Sequence, residues 1–538
     1  MTDRTNVHGT TGPPHRTRSN EERTTMMRQK LRSLRVLGGA IITAVLATSI
    51  LAAPASAAPI PDPSETANLH VIKSGDPVTG PGDGTELDTP PGNLIQGVEF
   101  TVKQVTGIDL TTQDGWTAAS ALADTYNGAA PGTIEEAEDV IEGEGYILDD
   151  GLSQTTDENG AADFAGLPLG LYIVEETAVP TGVIGSAPFL VTLPLTDPVT
   201  TDQWNYDVYV YPKNSVTTID KTIADGDAVG LGDEVVFTVT TDIPDAASDS
   251  DTLTEYVLTD DLDPGLDYQA SVLELSNGTP IPATAYAIAP EGASPGGPTI
   301  TVTFNNDGLE LLAANSTAEV VWTITTAANT TGVFDNTASL ATSVSERETE
   351  VESPVVQTRW GGVSVVKQND VEQPLAGAVF QVYVTSSALL EPDLDADTPV
   401  SIDGVTEWVT DEDGVTIING LRHSDWANDE EQADTYDGSD DSTVNQSYHY
   451  YWLVETVAPT GYELQAQPIG FEVTGPAATA APYDITVTDQ PHNAGFILPF
   501  TGGSGEAWLG YAALALFILA AAIAAVILWR RTRRRAPQ

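Results

Sequence analysis

The chain has 538 residues, which is enough for about three domains of ordinary size. Between residues 58 and 501 it has eight basic and 74 acidic residues, a formal charge near −66 (8 − 74), and a surface of this sign repels nucleic acids and anionic lipids. There is no cysteine, so the domains must depend on their hydrophobic cores or on a cross-link other than a disulfide.

Residues 1–57 are typical of a secretory signal peptide with an N-terminal extension. Four basic residues precede an apolar run at 36–53, and Ala55-Ser56-Ala57 after it fits the A-x-A cleavage pattern. We therefore expect cleavage after Ala57 and export of the rest of the chain. The segment before Met26 is polar and unpatterned, which leaves the true start codon open.

The segment between the two ends predicts an all-β protein. Short runs rich in Val, Thr, Ile and Tyr alternate apolar with polar residues and are separated by Gly, Pro, Asn and Asp, as in antiparallel sandwiches. Helical periodicity is scarce. An internal repeat then marks the domains, because three runs recur in the same order: 97–102, 156–160 and 172–177 resemble 377–382, 410–414 and 451–456. We predict three tandem immunoglobulin-like sandwiches at 58–214, 215–358 and 359–496, of which the first and last share a fold.

Residues 204–213 read Trp-Asn-Tyr-Asp-Val-Tyr-Val-Tyr-Pro-Lys. They resemble the pilin motif W-x-x-x-V-x-V-Y-P-K of sortase-assembled major pilins at every fixed position. Val208 and Val210 share one strand face, so Lys213 is expected on the opposite one, and Pro212 cannot donate a ladder hydrogen bond, which leaves the strand end open. We expect an exposed ε-amine at a sheet edge. The resemblance implies that Lys213 is the acceptor for polymerisation.

The segment 451–462 resembles the E-box of Cna-type B domains. Strand parity turns Glu455 into the core, where a lone carboxylate would be costly. The same parity turns Lys367 and Asp489 inward. In this family the glutamate promotes an intramolecular Lys–Asn or Lys–Asp isopeptide bond, so the resemblance implies a Lys367–Asp489 bond. Because family bonds more often use Asn, Asn493 is the alternative acceptor.

The middle domain follows the same logic with other residues. Parity predicts that Lys221, Asp260 and Asn336 face inward, and the set resembles Cna-type A pilin domains, in which an Asp promotes a Lys–Asn bond. For Lys367 and Asp489 of the last domain, burial is expected to lower the pKa of the amine and raise that of the acid, leaving a neutral nucleophile beside a proton-donating carboxyl, and the same logic applies to this set.

In the first domain Lys73, Glu176 and Asn214 occupy similar places. N-terminal domains of the family often lack the bond, however, and an ordinary ion pair is the favoured interpretation there.

The C-terminus combines three features in a fixed order: the pentapeptide Leu498-Pro499-Phe500-Thr501-Gly502, an apolar run at 509–528 and a basic tail at 529–538. Twenty helical residues reach about 30 Å, enough to cross a bilayer core, and the arginines would stay cytoplasmic. The three together resemble the LPXTG sorting signal of sortase-anchored proteins. The resemblance implies that a sortase cleaves after Thr501, and that the chain is a transient membrane intermediate before it reaches the cell wall.

On these motifs the chain is identified as a member of the sortase-assembled major, or shaft, pilins of Gram-positive actinobacteria, of SpaA or fimbrial-subunit type. This implies a structural protein that polymerises with itself through Lys213 and Thr501 under a class C sortase. A housekeeping sortase, peptidoglycan, and tip and base pilins would be its other partners, and surface adhesion would be the role of the fibre. The alternative is a monomeric wall-anchored adhesin, which shares the sorting signal and Cna-type domains but does not need the pilin motif. We predict no enzyme activity, cofactor, metal site or nucleic-acid partner.

Overall fold

The computed structural model describes residues 60–75, 82–89, 91–200, 202–245, 251–492 and 505–533. The predicted signal peptide at 1–57, the alternative acceptor Asn493 and the pentapeptide at 498–502 lie outside these residues.

The first domain is a two-sheet sandwich. Its strands are β1 (Ala67–Ile72), β2 (Glu99–Thr106), β3 (Ile147–Leu148), β4 (Leu152–Thr155), β5 (Ala161–Leu167), β6 (Gly170–Ala178), β7 (Val183–Ile184), β8 (Phe189–Leu193), β9 (Leu195–Thr196), β10 (Trp204–Asn205), β11 (Asp207–Val210) and β12 (Ser215–Val216). One sheet has the order β11-β1-β5 and the other β3-β2-β6-β8, with β4 pairing on β2. The core between them includes Leu69, Phe100, Phe164 and Val208. The pilin-motif strand β11 is therefore an edge strand.

Two helices, α1 (Gln113–Ala129) and α2 (Ile134–Gly143), cover the outer face of the second sheet, where Leu122 and Ile141 pack against Ile173. The sequence analysis missed both of them. Thr112 caps α1, and Thr133 forms a reciprocal capping box with Glu136 at the start of α2. This Thr-x-x-Glu spacing in the sequence indicates the start of α2.

The middle domain is a second sandwich. Its elements are β13 (Ile219–Ala224), β14 (Glu234–Asp242), β15 (Leu253–Asp261), β16 (Leu266–Leu275), β17 (Tyr286–Ala289), β18 (Thr299–Phe304), α3 (Asn306–Ala313), β19 (Glu319–Ala328), β20 (Gly332–Asn336), β21 (Ala338–Val344) and β22 (Arg347–Glu352). The sheets have the orders β13-β14-β19-β16 and β17-β18-β15-β21-β22. Inward positions alternate along β14 and β19, so that Phe237 and Trp322 are fully buried.

The last domain contains β23 (Val356–Asn369), β24 (Val379–Thr385), β25 (Trp408–Val409), β26 (Val415–Arg422), β27 (Trp426–Ala427), β28 (Glu430–Glu431), β29 (Tyr450–Val457), β30 (Ile469–Phe471), β31 (Ile485–Asp489) and a single 3-10 turn at Asp441–Thr443. Strand β23 crosses the boundary predicted at 358. Its first half pairs with β20 of the middle domain, and its second half pairs with β26 and β31. The junction is therefore one continuous strand.

The first and last domains share a strand arrangement. In each, the first strand pairs in parallel with the last, β1 with β11 and β23 with β31. In each, the facing sheet has three antiparallel strands in the same order, β2-β6-β8 and β24-β29-β30. This agrees with the repeat found in the sequence.

A final helix, α4 (Gly505–Arg533), includes the predicted anchor segment. The side chains described for it, at 513–527, are exposed. Among the residues that the structure describes, no helix has the length and hydropathy required to cross a membrane. The membrane-spanning role of 509–528 stays a prediction.

Candidate isopeptide sites and acceptor lysine

The last domain brings Lys367, Glu455 and Asp489 together in its core. Strands β23 and β31 place the lysine and the aspartate side by side, and β29 carries the glutamate. Lys367 Nζ lies 2.7 Å from Glu455 Oε1 and forms an ion pair with Asp489 Oδ1. All three side chains are at most 1% exposed. Glu455 Oε2 accepts a 2.7 Å hydrogen bond from the backbone N of Gln465, which fixes the orientation of the carboxylate.

This buried cluster contains the groups that are needed to form an amide bond. The amine is the nucleophile, the Asp489 carboxyl carbon is the electrophile, and Glu455 contacts the same amine and can carry its proton. Two buried carboxylates around one ammonium form a costly arrangement as a plain ion pair. An amide bond would remove one positive and one negative charge from the core.

In the middle domain Lys221 on β13 pairs with Asp260 on β15, and neither side chain is exposed. Asn336 on β20 is 1% exposed, and within the described part of the chain neither its Oδ1 nor its Nδ2 has a hydrogen-bond partner. Asp260 pairs in register with Ala338, two positions beyond Asn336. The Asn336 amide nevertheless lies close enough to the Asp260 carboxyl to oppose slightly the rise in its pKa, without the geometry of a regular hydrogen bond. A buried amide without a partner is unusual and calls for an explanation.

Burial shifts the pKa values of Lys221 and Asp260 in opposite directions. Desolvation lowers the pKa of Lys221, although the attraction of Asp260 acts in the other direction. Desolvation likewise raises the pKa of Asp260 against the attraction of the lysine. Both shifts favour a neutral amine beside a protonated acid, the pair of states required for nucleophilic attack with proton donation.

In the first domain Glu176 contacts both predicted partners. Lys73 Nζ pairs with Glu176 Oε1, and Asn214 Nδ2 donates a 2.9 Å hydrogen bond to Glu176 Oε2. Lys73 and Asn214 are fully buried. Desolvation lowers the pKa of Lys73 to about 8, against the attraction of Glu176. The expected ion pair is present, and the buried Asn214 amide makes this cluster a counterpart of the other two.

Each of the three lysines lies over an aromatic ring that sequence reasoning did not single out. The Nζ atoms of Lys73, Lys221 and Lys367 are 5.7, 5.1 and 5.6 Å from the ring centroids of Phe100, Phe237 and Phe380. Phe100 and Phe380 occupy the same position of the internal repeat, and this was the signal available in the sequence.

The acceptor candidate Lys213 follows the edge strand β11, but its amine is not freely exposed. Its side chain is 14% exposed, and Nζ forms a 2.8 Å ion pair with Asp245 Oδ2 of the middle domain. The expectation of an exposed amine was therefore wrong in this detail, because the following domain contributes a carboxylate that covers it. A groove of about 730 Å³, with Trp116 and Tyr211 in its wall, opens beside Lys213.

The motif tryptophan also has a structural partner. The Trp204 ring stacks on Trp116 of α1 at a centroid distance of 5.0 Å and an angle of 18°. This contact joins the start of the pilin motif to the helical insertion.

Lys103, the remaining lysine of the domain region, is 20% exposed and pairs with Glu138 and, at 2.8 Å, with Glu175. It belongs to no motif, so it is a suitable reference amine for comparison with Lys213.

Comparison with known proteins agrees with the motifs. Residues 71–215 match the family model described as "Gram-positive pilin subunit D1, N-terminal domain", and residues 361–490 match the SpaA model of a "Prealbumin-like fold domain". "Fimbrial subunit type 1" of Actinomyces viscosus is 31% identical over 556 aligned residues, which cover 93% of this chain and 98% of the relative. The chain belongs to the Gram-positive fimbrial subunit family. "Fimbrial subunit type 2" of Actinomyces naeslundii is 29% identical over 88% of this chain and 90% of its own length.

Solved structures of Gram-positive pilins have the same fold. The full-length major pilin SpaD of Corynebacterium diphtheriae aligns with a TM-score of 0.64 and 25% identity, over 80% of this chain and 98% of SpaD. The major pilin SpaA of the same organism aligns with a TM-score of 0.50 and 24% identity, over 79% and 99%. The chain is accordingly a major pilin of SpaA type, a structural subunit and not an enzyme.

Proposed function

We propose that this pilin forms the shaft of a surface pilus, in which a class C sortase links Lys213 of one subunit to Thr501 of the next. The observation that carries the proposal is the complete pilin motif at 204–213, which includes the edge strand β11 and places Lys213 beside a groove. A monomeric adhesin would have no use for this motif, and so it is the weaker candidate.

The linkage proceeds by transpeptidation. The sortase cysteine attacks the Thr501 carbonyl carbon, the Thr501–Gly502 bond breaks, and the Gly502 amine leaves with a proton. The neutral Lys213 amine then attacks the thioester, an amide forms, and the thiol is released. In the same scheme the subunit is held at the membrane by 509–528 before sorting, and a housekeeping sortase joins the finished fibre to peptidoglycan. Tip and base pilins would complete the fibre, which would support adhesion.

We further propose that each domain closes an internal isopeptide bond. The bonds are Lys73–Asn214 promoted by Glu176, Lys221–Asn336 promoted by Asp260, and Lys367–Asp489 promoted by Glu455. The two asparagine bonds release ammonia and the aspartate bond releases water. Contact between Lys367 and Asp489 supports Asp489 over Asn493 as the acceptor. The first-domain bond goes beyond the sequence-based expectation, and the contact of Glu176 with both partners supports it.

The bonds suit a fibre that carries load without disulfides. In the last domain the bond would join strands 122 positions apart, one near each end of the domain. Force applied between subunits would then pass through the amide and would not extend the chain between them.

The decisive test is the pattern of polymers in wall extracts. The parent should give a ladder of high-mass species that resist SDS, Lys213→Ala should give monomer only, and the matched control Lys103→Ala should keep the ladder. A ladder that persists in Lys213→Ala would refute the assignment of the acceptor, and a parent that is only monomeric would favour the adhesin.

A further inference from the structure

Lys213 and the carboxylate that pairs with it belong to different domains. Lys213 ends the pilin motif of the first domain, whereas Asp245 follows β14 in the middle domain. Their side chains meet at 2.8 Å, and Lys213 is left 14% exposed. The nucleophile of the proposed polymerisation is therefore covered by a residue outside its own motif.

Several contacts hold Asp245 in place. Its Oδ1 accepts a 3.2 Å hydrogen bond from Ser316 Oγ, and its backbone carbonyl accepts one from Ser215 Oγ, two positions after Lys213. Ser316 thus binds one carboxylate oxygen and Ser215 binds the backbone of Asp245, while the other carboxylate oxygen faces the amine. These hydrogen bonds fix the position of Asp245 relative to the amine.

Other charged and titratable groups lie in two cavities beside Lys213. The groove on one side is lined by Tyr209, Tyr211 and Asp251, and a second cavity on the other side is lined by Asp242. Asp251 pairs with Arg347 at 2.6 Å, and Asp242 accepts a hydrogen bond from Thr218. Among the residues that the structure describes, the Lys213 amine pairs with Asp245.

We propose that Asp245 masks the acceptor lysine by holding its amine in an ion pair until the acyl-enzyme displaces the contact. An ammonium group held in this contact is covered by the carboxylate and has no lone pair with which to attack a thioester. Attack requires that the ammonium lose one proton to solvent or to a base of the sortase. A second proton then goes to the departing thiolate as the amide forms. The mask thereby protects the subunit from acylation at the wrong time or by the wrong donor.

This inference rests on the proposed role of Lys213, but it is testable without a sortase. The intact chain, made in a host without sortases and kept in detergent, would be treated with the N-hydroxysuccinimide ester of acetic acid between pH 6.5 and 9. Mass spectrometry of digests would give the rate of acetylation at Lys213, with Lys103 of the same molecule as the internal reference. The variants are Asp245→Asn, which keeps the shape, and Asp245→Ala, with Asp370→Asn on an exposed site of the last domain as the charge-matched control.

Because Asp245 is half exposed, its pairing energy is modest, and we expect acetylation of Lys213 to rise about threefold in both Asp245 variants. Acetylation of Lys103 in the same molecules, and of Lys213 in the Asp370→Asn control, should stay unchanged. Acetylation that is equal to or slower than that of the parent would overturn the proposal.

A second measurement separates this inference from the proposed function. With purified pilin sortase, masking predicts that the Asp245 variants form the first dimers faster than the parent. If Lys213→Ala still polymerises, the acceptor assignment fails, while the acetylation rates still decide whether Asp245 covers Lys213. If acetylation rises but dimer formation slows, Asp245 orients the amine for the sortase, and the masking role in assembly is refuted.

Discussion

Replacing Asn336 by alanine separates the proposed cross-link from the ion pair beside it. The substitution removes only the acceptor and leaves the Lys221–Asp260 contact intact. Without a cross-link, Asn336 is a buried amide with no regular hydrogen bond among the described residues, and the desolvation cost of about 1–3 kcal/mol that its removal relieves is offset by the cavity it leaves, so the net change should be small. With a cross-link, the same substitution opens a covalent loop. The two interpretations therefore predict losses of stability that differ widely in size.

The size of the loss follows from the length of the loop. Lys221 and Asn336 lie 115 positions apart (336 − 221). By the chain-entropy relation used for disulfides, closing such a loop stabilises the domain by roughly 5 kcal/mol. For a domain as long as 215–358, this corresponds to a melting temperature roughly 15 °C lower in Asn336→Ala than in the parent.

Two measurements on the intact chain decide between the interpretations. The bond releases ammonia, so its loss in Asn336→Ala should remove a deficit of about 17 Da and a branched peptide that joins Lys221 to Asn336. Calorimetry should show one transition shifted downward, whereas Asn306→Ala at the exposed start of α3 should shift none. A parent without the deficit, together with an equal or higher melting temperature for Asn336→Ala, would refute the reasoning.

Three further changes test other parts of the molecule. Glu455→Ala should block the Lys367–Asp489 bond and so restore about 18 Da to the mass of the chain. In single-molecule pulling it should add an unfolding extension of about 400 Å, because the 122-residue loop would then be free to extend. Unchanged traces would contradict this. Burial lowers the pKa of His449 to about 3, so below pH 6.5 the unfolded chain takes up a proton that the folded chain does not, and stability is lost as the pH falls. Between pH 7 and pH 5 the free energy of unfolding of the parent, measured by urea titration, should fall by about 2 kcal/mol more than that of His449→Gln. Equal losses would show that the imidazole is not buried. Arg422 donates hydrogen bonds to the carbonyls of Ala228, at 2.9 Å, and Ser447, at 2.7 Å, and so joins the middle and last domains. Arg422→Met should therefore make the junction between these domains sensitive to proteolysis. An unchanged digestion pattern would argue that Arg422 does not hold the junction together.

The sequence by itself determined the features that depend on residues close together in the chain. Strand parity has a period of two, so a few neighbouring residues sufficed to predict that Lys221, Lys367 and Glu455 face inward, and all three are buried. The repeat and the alternation of apolar residues likewise indicated an all-β protein whose first and last domains share a fold. Helix α1 has little apolar periodicity, and the local signal of its start is the cap at Thr112.

Only the tertiary structure decided which buried groups touch and what covers the acceptor amine. The contact of Glu176 with both Lys73 and Asn214 depends on how the strands of two sheets are packed, which no local pattern specifies. The pairing of Lys213 with Asp245 joins two domains across 32 positions of chain. Strand parity specifies the face on which a side chain lies, but the distance between two side chains on different strands is set by the register and docking of whole sheets.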